Sequence, residues 1–235
     1  MNLLNLYKSF NNKNLRYISN ENELDRNYTL FELIFHFYNE CIPYDIMINF
    51  IDKNINFYIA QIHTYRYDDN GISLLHIITN NYFRKIKEYK KYKEMLEFFL
   101  KNGADPNISL NYGENLLMYI TFFPNNHKIF KMLLNYGADA NIQNIYGYTC
   151  LMTCCYSLYF YEENIKLLLD YDCDVNIVEY EKDYNALMYF CSIVKNNTKL
   201  AKMIKEKTNM HHVNSKDKKI YEFCLDEYDN LYKQF

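Results

Sequence analysis

The sequence predicts an all-α solenoid of about five helix-turn-helix units with short β-hairpin fingers. Three observations carry that expectation. The stretch LLNYGADANIQNIYGYTCLM, Leu133 to Met152, has two looser copies: FFLKNGADPNISLNYGENLLM, Phe98 to Met118, and LLLDYDCDVNIVEYEKDYNALM, Leu167 to Met188. The turn residues Gly71, Gly113, Gly147 and Asp183 stand 42, 34 and 36 residues apart, and a closing Asn (Asn56, Asn107, Asn141, Asn176, Asn214) keeps nearly the same rhythm once inserts are removed. Between the turns lie apolar segments of helical length, so each period reads as helix, helix, turn. Such a unit buries little alone, and stacking completes its core.

In chain order, residues 1–26 read as an N-terminal extension with a short helix. Residues 27–57 form a degenerate capping repeat. Its first helix carries Leu30, Leu33, Ile34 and Phe37 at amphipathic spacing, and Pro43 opens its second. Residues 58–66 do not fit the repeat and are expected to be an inserted linker. Four repeats follow at 67–109, 110–142, 143–178 and 179–214. Ser73 and Thr149 are N-cap candidates, and Gly103 is a helix-ending residue. A C-terminal capping helix, with an apolar stripe at Ile220, Phe223 and Cys224, is expected over 215–235.

Asp68-Asp69-Asn70-Gly71-Ile72-Ser73-Leu74-Leu75-His76, with Gly103-Ala104-Asp105-Pro106-Asn107 and Gly137-Ala138-Asp139-Ala140-Asn141, resembles the two halves of the ankyrin repeat. Cys173-Asp174-Val175-Asn176 is a fair match and His212-Val213-Asn214 a poor one. The resemblance is clear over 67–178 and degenerate on the flanks. No unit has the Thr-Pro-Leu-His tetrapeptide intact, and Leu-Met replaces Leu-His in three. The Asn/Tyr-rich style is similar to that of repeats from large DNA viruses and from A/T-rich bacteria or protists. The family resemblance implies first helices lining a concave side and fingers projecting from its edge. It also implies a structural role for His76, and close stacking at Ile78, Ile120, Cys154 and Phe190, positions where the family favours a small residue.

Composition excludes several classes. A net charge of −3 over 235 residues gives no global field toward nucleic acid or an anionic membrane. No apolar run is long enough for a membrane span, and the opening residues lack the plan of a secretory signal. Seven cysteines without framework spacing fit a reducing compartment, so an intracellular, cytoplasmic location is expected, in the host cell if the chain is viral. Cys150, Cys154, Cys155 and Cys191 read as core packing, and His211-His212 as a degenerate loop. No catalytic motif appears, so no enzyme, cofactor or metal is expected.

The family resemblance places the variable contact positions at Asp69, Asn70 and Ile72; Asn111, Tyr112 and Glu114; Ile145, Tyr146 and Tyr148; and Glu181, Lys182 and Tyr184. Tyr112, Tyr146, Tyr148 and Tyr184 are expected to form an aromatic row. The resemblance implies a non-enzymatic interaction module that binds a protein partner through its concave face and finger tips, acting as a monomer. The alternative is nucleic-acid or phosphate binding through the basic insertion Arg84–Lys93, where lysines interleave with tyrosines.

Overall fold

The computed structural model describes residues 24, 29–38, 40, 42–64, 71–84, 89–156, 162–193, 198–220 and 222. The N-terminal extension apart from Leu24 and most of the capping segment after residue 220 lie outside the described residues, as do Asp69 and Asn70. The chain divides into two bodies, Met1–Asn111 and Tyr112–Phe235.

In the first body, α1 (Leu30–Tyr38), α2 (Tyr44–Lys53) and α3 (Ile55–Thr64) pack on one another, and α4 (Leu74–Arg84) packs on α5 (Tyr89–Lys101). Leu33, Ile34, Met47, Ile51, Tyr58 and Ile62 fill the core, and the Phe37 ring meets Tyr92 of α5 at 5.4 Å. At the start of α4 the buried His76 Nδ1 lies 2.7 Å from Ser73 Oγ, a structural contact of the kind the resemblance implied.

The segment expected to be a linker, 58–66, is helical through Thr64. Asn54 breaks the chain for a single residue, its amide donating to Phe50 O at 2.9 Å, and α3 begins at once. Tyr58 and Ile62 bury completely on one face of α3. Gln61 Oε1 accepts from Leu30 N at 2.9 Å and so satisfies an orphan donor at the head of α1.

The second body is regular. Inner helices α6 (Leu116–Ile120), α8 (Cys150–Tyr156) and α10 (Ala186–Ile193) stack in sequence. So do outer helices α7 (His127–Asn135), α9 (Glu162–Asp170) and α11 (Thr198–Lys207), and each inner helix packs on its outer partner. Inner helices start where a side chain takes up a free N–H: Asn115 Oδ1 accepts from Met118 N at 3.0 Å, Asn185 Oδ1 from Met188 N at 3.0 Å, and Thr149 Oγ1 from Met152 N at 3.4 Å. Outer helices stop in a left-handed residue, Gly137 (φ 86°) or Asp172 (φ 51°). The next N–H then reaches five residues back, Ala138 to Leu133 O and Cys173 to Leu168 O.

Polar bonds set the register between repeats. Asn141 Oδ1 accepts from Asp174 N at 2.7 Å, and Asn176 Oδ1 accepts from Asn209 N at 2.6 Å. The fingers are short hairpin turns, closed by backbone bonds from Asn144 N to Tyr148 O, Glu179 N to Tyr184 O and Asn214 N to Lys218 O. In the last finger Val213 forms an antiparallel bridge with Lys219. A buried side chain does the work of a ladder. Asn144 Oδ1 accepts from Tyr146 N and Tyr148 N, and Asn214 Oδ1 from Lys216 N and Lys218 N. In the finger between them Glu179, 1% exposed, accepts from the N–H groups of Glu181, Lys182 and Tyr184.

Gly147 has φ 85°, and a Cβ there would lie 2.7 Å from Tyr180 N and 2.8 Å from Glu179 Cα. Gly137, at φ 86°, has open space around the same position. Gly137→Ala should therefore cost only backbone strain, about 1 kcal/mol, whereas Gly147→Ala must also push two fingers apart, about 3 kcal/mol in all. Urea unfolding followed by circular dichroism checks this, and equal losses would mean the close approach of the fingers is no constraint.

Candidate partner-binding surface

A finger tip is available for contact when its backbone is held from below and its side chains are not. In the second body one backbone hydrogen bond joins each finger to the next. Ile145 N donates to Tyr112 O at 2.9 Å, Tyr180 N to Tyr146 O at 3.1 Å, and Ser215 N to Lys182 O at 3.1 Å. The four tips thus stand in single file. Along that file Tyr112 (50% exposed), Ile145 (53%), Tyr146 (56%) and Tyr180 (65%) present large apolar side chains to water.

Tyr148 and Tyr184 do not stand in this row as expected. Both lean back onto Tyr189 of α10, with ring centroids 5.5 Å and 5.4 Å from it. The Tyr148 and Tyr189 hydroxyls lie 3.0 Å apart, and Tyr156 meets Tyr189 edge-on at 6.0 Å. The reason is position: both tyrosines follow the left-handed residue of their finger, Gly147 or Asp183, where the chain turns back toward the inner helix. Burial and the Tyr148 contact push the Tyr189 phenol above its ordinary range. Lys182 Nζ sits 5.9 Å above the Tyr184 ring, within cation–π reach.

The remaining expected contacts divide. Glu181 and Lys182 are exposed, and so is Asn111, the last residue of the first body; Ile72 is half-buried ahead of α4. Glu114 is half-buried, and burial raises its carboxyl above the usual value of 4.5. Sequence reasoning missed Tyr180, Tyr189 and Tyr156. The finger of Tyr180 is one residue longer than the one before it, part of the excess in the 36-residue spacing from Gly147 to Asp183. Tyr189 falls at an inner-helix position that pattern alone assigns to packing.

Of the basic insertion Arg84–Lys93, residues 85–88 lie outside the described residues. In the basic insertion Lys90 pairs with Glu94 at 3.9 Å, and Lys91 lies 5.7 Å over the Phe37 ring. Cys150, Cys154, Cys155 and Cys173 are free and buried. Burial lifts the Cys150 and Cys155 thiols well above their ordinary range and Cys173 to about 12, so these three offer no thiolate at neutral pH. Cys191, grouped with them in the sequence, is disulfide-bonded instead. His212 Nε2 lies 2.6 Å from Asp183 O, a bond between fingers. Among the described residues no group of three His, Cys, Asp or Glu is arranged to hold a metal, and no helix is long and apolar enough to cross a membrane.

Paired helices stacked in two layers, with tips projecting from each junction, define a helical-repeat scaffold. Residues 84–179 match the family model of ankyrin repeats in three copies, and this part of the chain is an ankyrin-repeat array. The crystal structure of EF0377, an ankyrin repeat protein, superimposes with a TM-score of 0.61 at 17% identity, covering 88% of this chain and 96% of that one. That likeness shows the fold. No curated protein matches the sequence.

The raised pKa of Glu114 carries a sign. Its folded value lies above its unfolded value, so the ionised carboxylate costs stability above that range, and the cost vanishes as pH falls below the unfolded value. Glu114→Gln should raise the melting temperature at pH 7, with the gain shrinking toward pH 4. A constant gain across that range would point to packing rather than charge.

Proposed function

We propose that the chain is a non-enzymatic protein-binding module whose contact surface is the file of finger tips in the second body. Ankyrin repeats are in general protein-interaction scaffolds, which supports the class of activity. The observation that carries the site is Ile145 beside Tyr146, both more than half exposed on a turn pinned by Asn144 and Gly147. Exposed apolar side chains at a rigid tip are costly to solubility and suited to anchoring a partner, because little freedom is lost on binding. Tyr supplies large contact area with only two soft torsions. Tyr148, Tyr184 and Tyr189 form a firmer aromatic floor beside the tips, where a partner side chain can pack.

A photo-crosslinking amino acid placed at Tyr146 should yield discrete protein adducts in a eukaryotic cell lysate, whereas the same group at Lys131, exposed on outer helix α7, should not. The double variant Ile145→Ala/Tyr146→Ala should lose these partners with its far-ultraviolet spectrum and melting temperature unchanged. Full retention of every partner by the double variant would remove the tips from the binding surface.

A further inference from the structure

The charge of the second body is not spread evenly. Residues 198–222 hold seven lysines against three acids, in a chain whose overall net charge is −3. Along the finger tips the change is stepwise. The first two tips, 111–114 and 145–148, contain no lysine. The third carries Lys182, and the last carries Lys216, Lys218 and Lys219 with a single acid, Asp217. All four lysines are exposed. In the last tip the backbone N–H groups of Lys216 and Lys218 both converge on Asn214 Oδ1, so the frame is satisfied without either side chain.

The file of tips therefore has a direction: apolar at Tyr112, Ile145, Tyr146 and Tyr180, then cationic at Lys216, Lys218 and Lys219. We infer that this row takes an extended segment of a protein partner, its apolar residues against the tyrosine tips and its carboxylates against the lysines of the last finger. The inference rests on the proposed tip surface and adds the chemistry and orientation of what binds there. One tip per repeat, each joined to the next by a single backbone bond, is a linear array, and a linear array suits an extended chain better than a folded surface. Lysine–carboxylate pairs at a solvated rim add steering and register more than affinity, while the aromatic tips supply the anchor. The tips also separate a protein from a nucleic acid. Glu181, Asp183 and Asp217 alternate with the lysines and would each face a phosphate on a polyanion, whereas isolated carboxylates on a peptide can pass between them. The row has no arginine, the residue best shaped for bidentate phosphate contact.

Selection of a random 12-residue peptide display library on the intact chain tests this. The expected outcome is enrichment of peptides with aromatic or aliphatic residues in one half and Asp or Glu in the other. The best of these, made synthetically and followed by fluorescence anisotropy, should bind about tenfold more weakly to Lys216→Glu/Lys218→Glu/Lys219→Glu and lose most of its salt dependence there. Tyr146→Ala/Tyr180→Ala should abolish binding of the same peptide. Selected peptides that are neutral or basic, yet lost by the tyrosine variant, would overturn the charge assignment and leave the tip surface standing. Absence of any enriched peptide, or retention of a 20-nucleotide single-stranded RNA that the lysine variant releases, would overturn the inference in favour of a folded partner or a nucleic acid respectively.

Discussion

The second body depends on polar register between neighbouring repeats. Apolar burial holds its stacked helices together but has no direction, so by itself it would let one layer slide over the next. Asn141 and Asn176 each take an N–H from the following repeat, while Tyr112, Tyr146 and Lys182 each take one through a backbone carbonyl at the tip. The last two junctions each have two contacts, one at the base of the loop and one at its end, which fix both translation and tilt; of these bonds the first junction has the one at the tip. Each is worth only about 1 kcal/mol net, so these bonds contribute direction more than energy. Stability in such an array is a sum over neighbours, so a single faulty junction is felt locally.

Much of this was legible in the sequence, because a period reports what the chain must do at every junction. Thr149 as a helix cap and Gly103 as a helix stop follow from residue type and spacing, and His76 as a structural histidine follows from the family resemblance; the structure places each in that kind of role. The third helix did not follow. Asn54 and Asn56 looked like the end of a repeat, and the apolar face of Tyr58 and Ile62 was too short to be recognised without its packing partners.

The candidate surface was half legible. Ile145 and Tyr146 were visible as finger residues, since they sit just before a glycine that must turn. Tyr148 and Tyr184 belong to the same fingers but face another way, and only the third dimension shows that Tyr189 draws them together. The basic run Arg84–Lys93 drew attention because it is dense. The lysines of the last repeat are spread over a helix and a finger, so no dense run marks them in the sequence.

The frame of each finger is made of backbone and one buried acceptor: Asn144, Glu179 or Asn214. None of the outward side chains at 145, 146, 180, 182, 216 or 218 takes part in that frame. Recognition and folding are thus written in separate alphabets. On the proposed tip surface, a codon change would alter what is bound with almost no penalty in the fold, and a lineage could exchange partners by drift at six positions while the scaffold beneath stays under constraint.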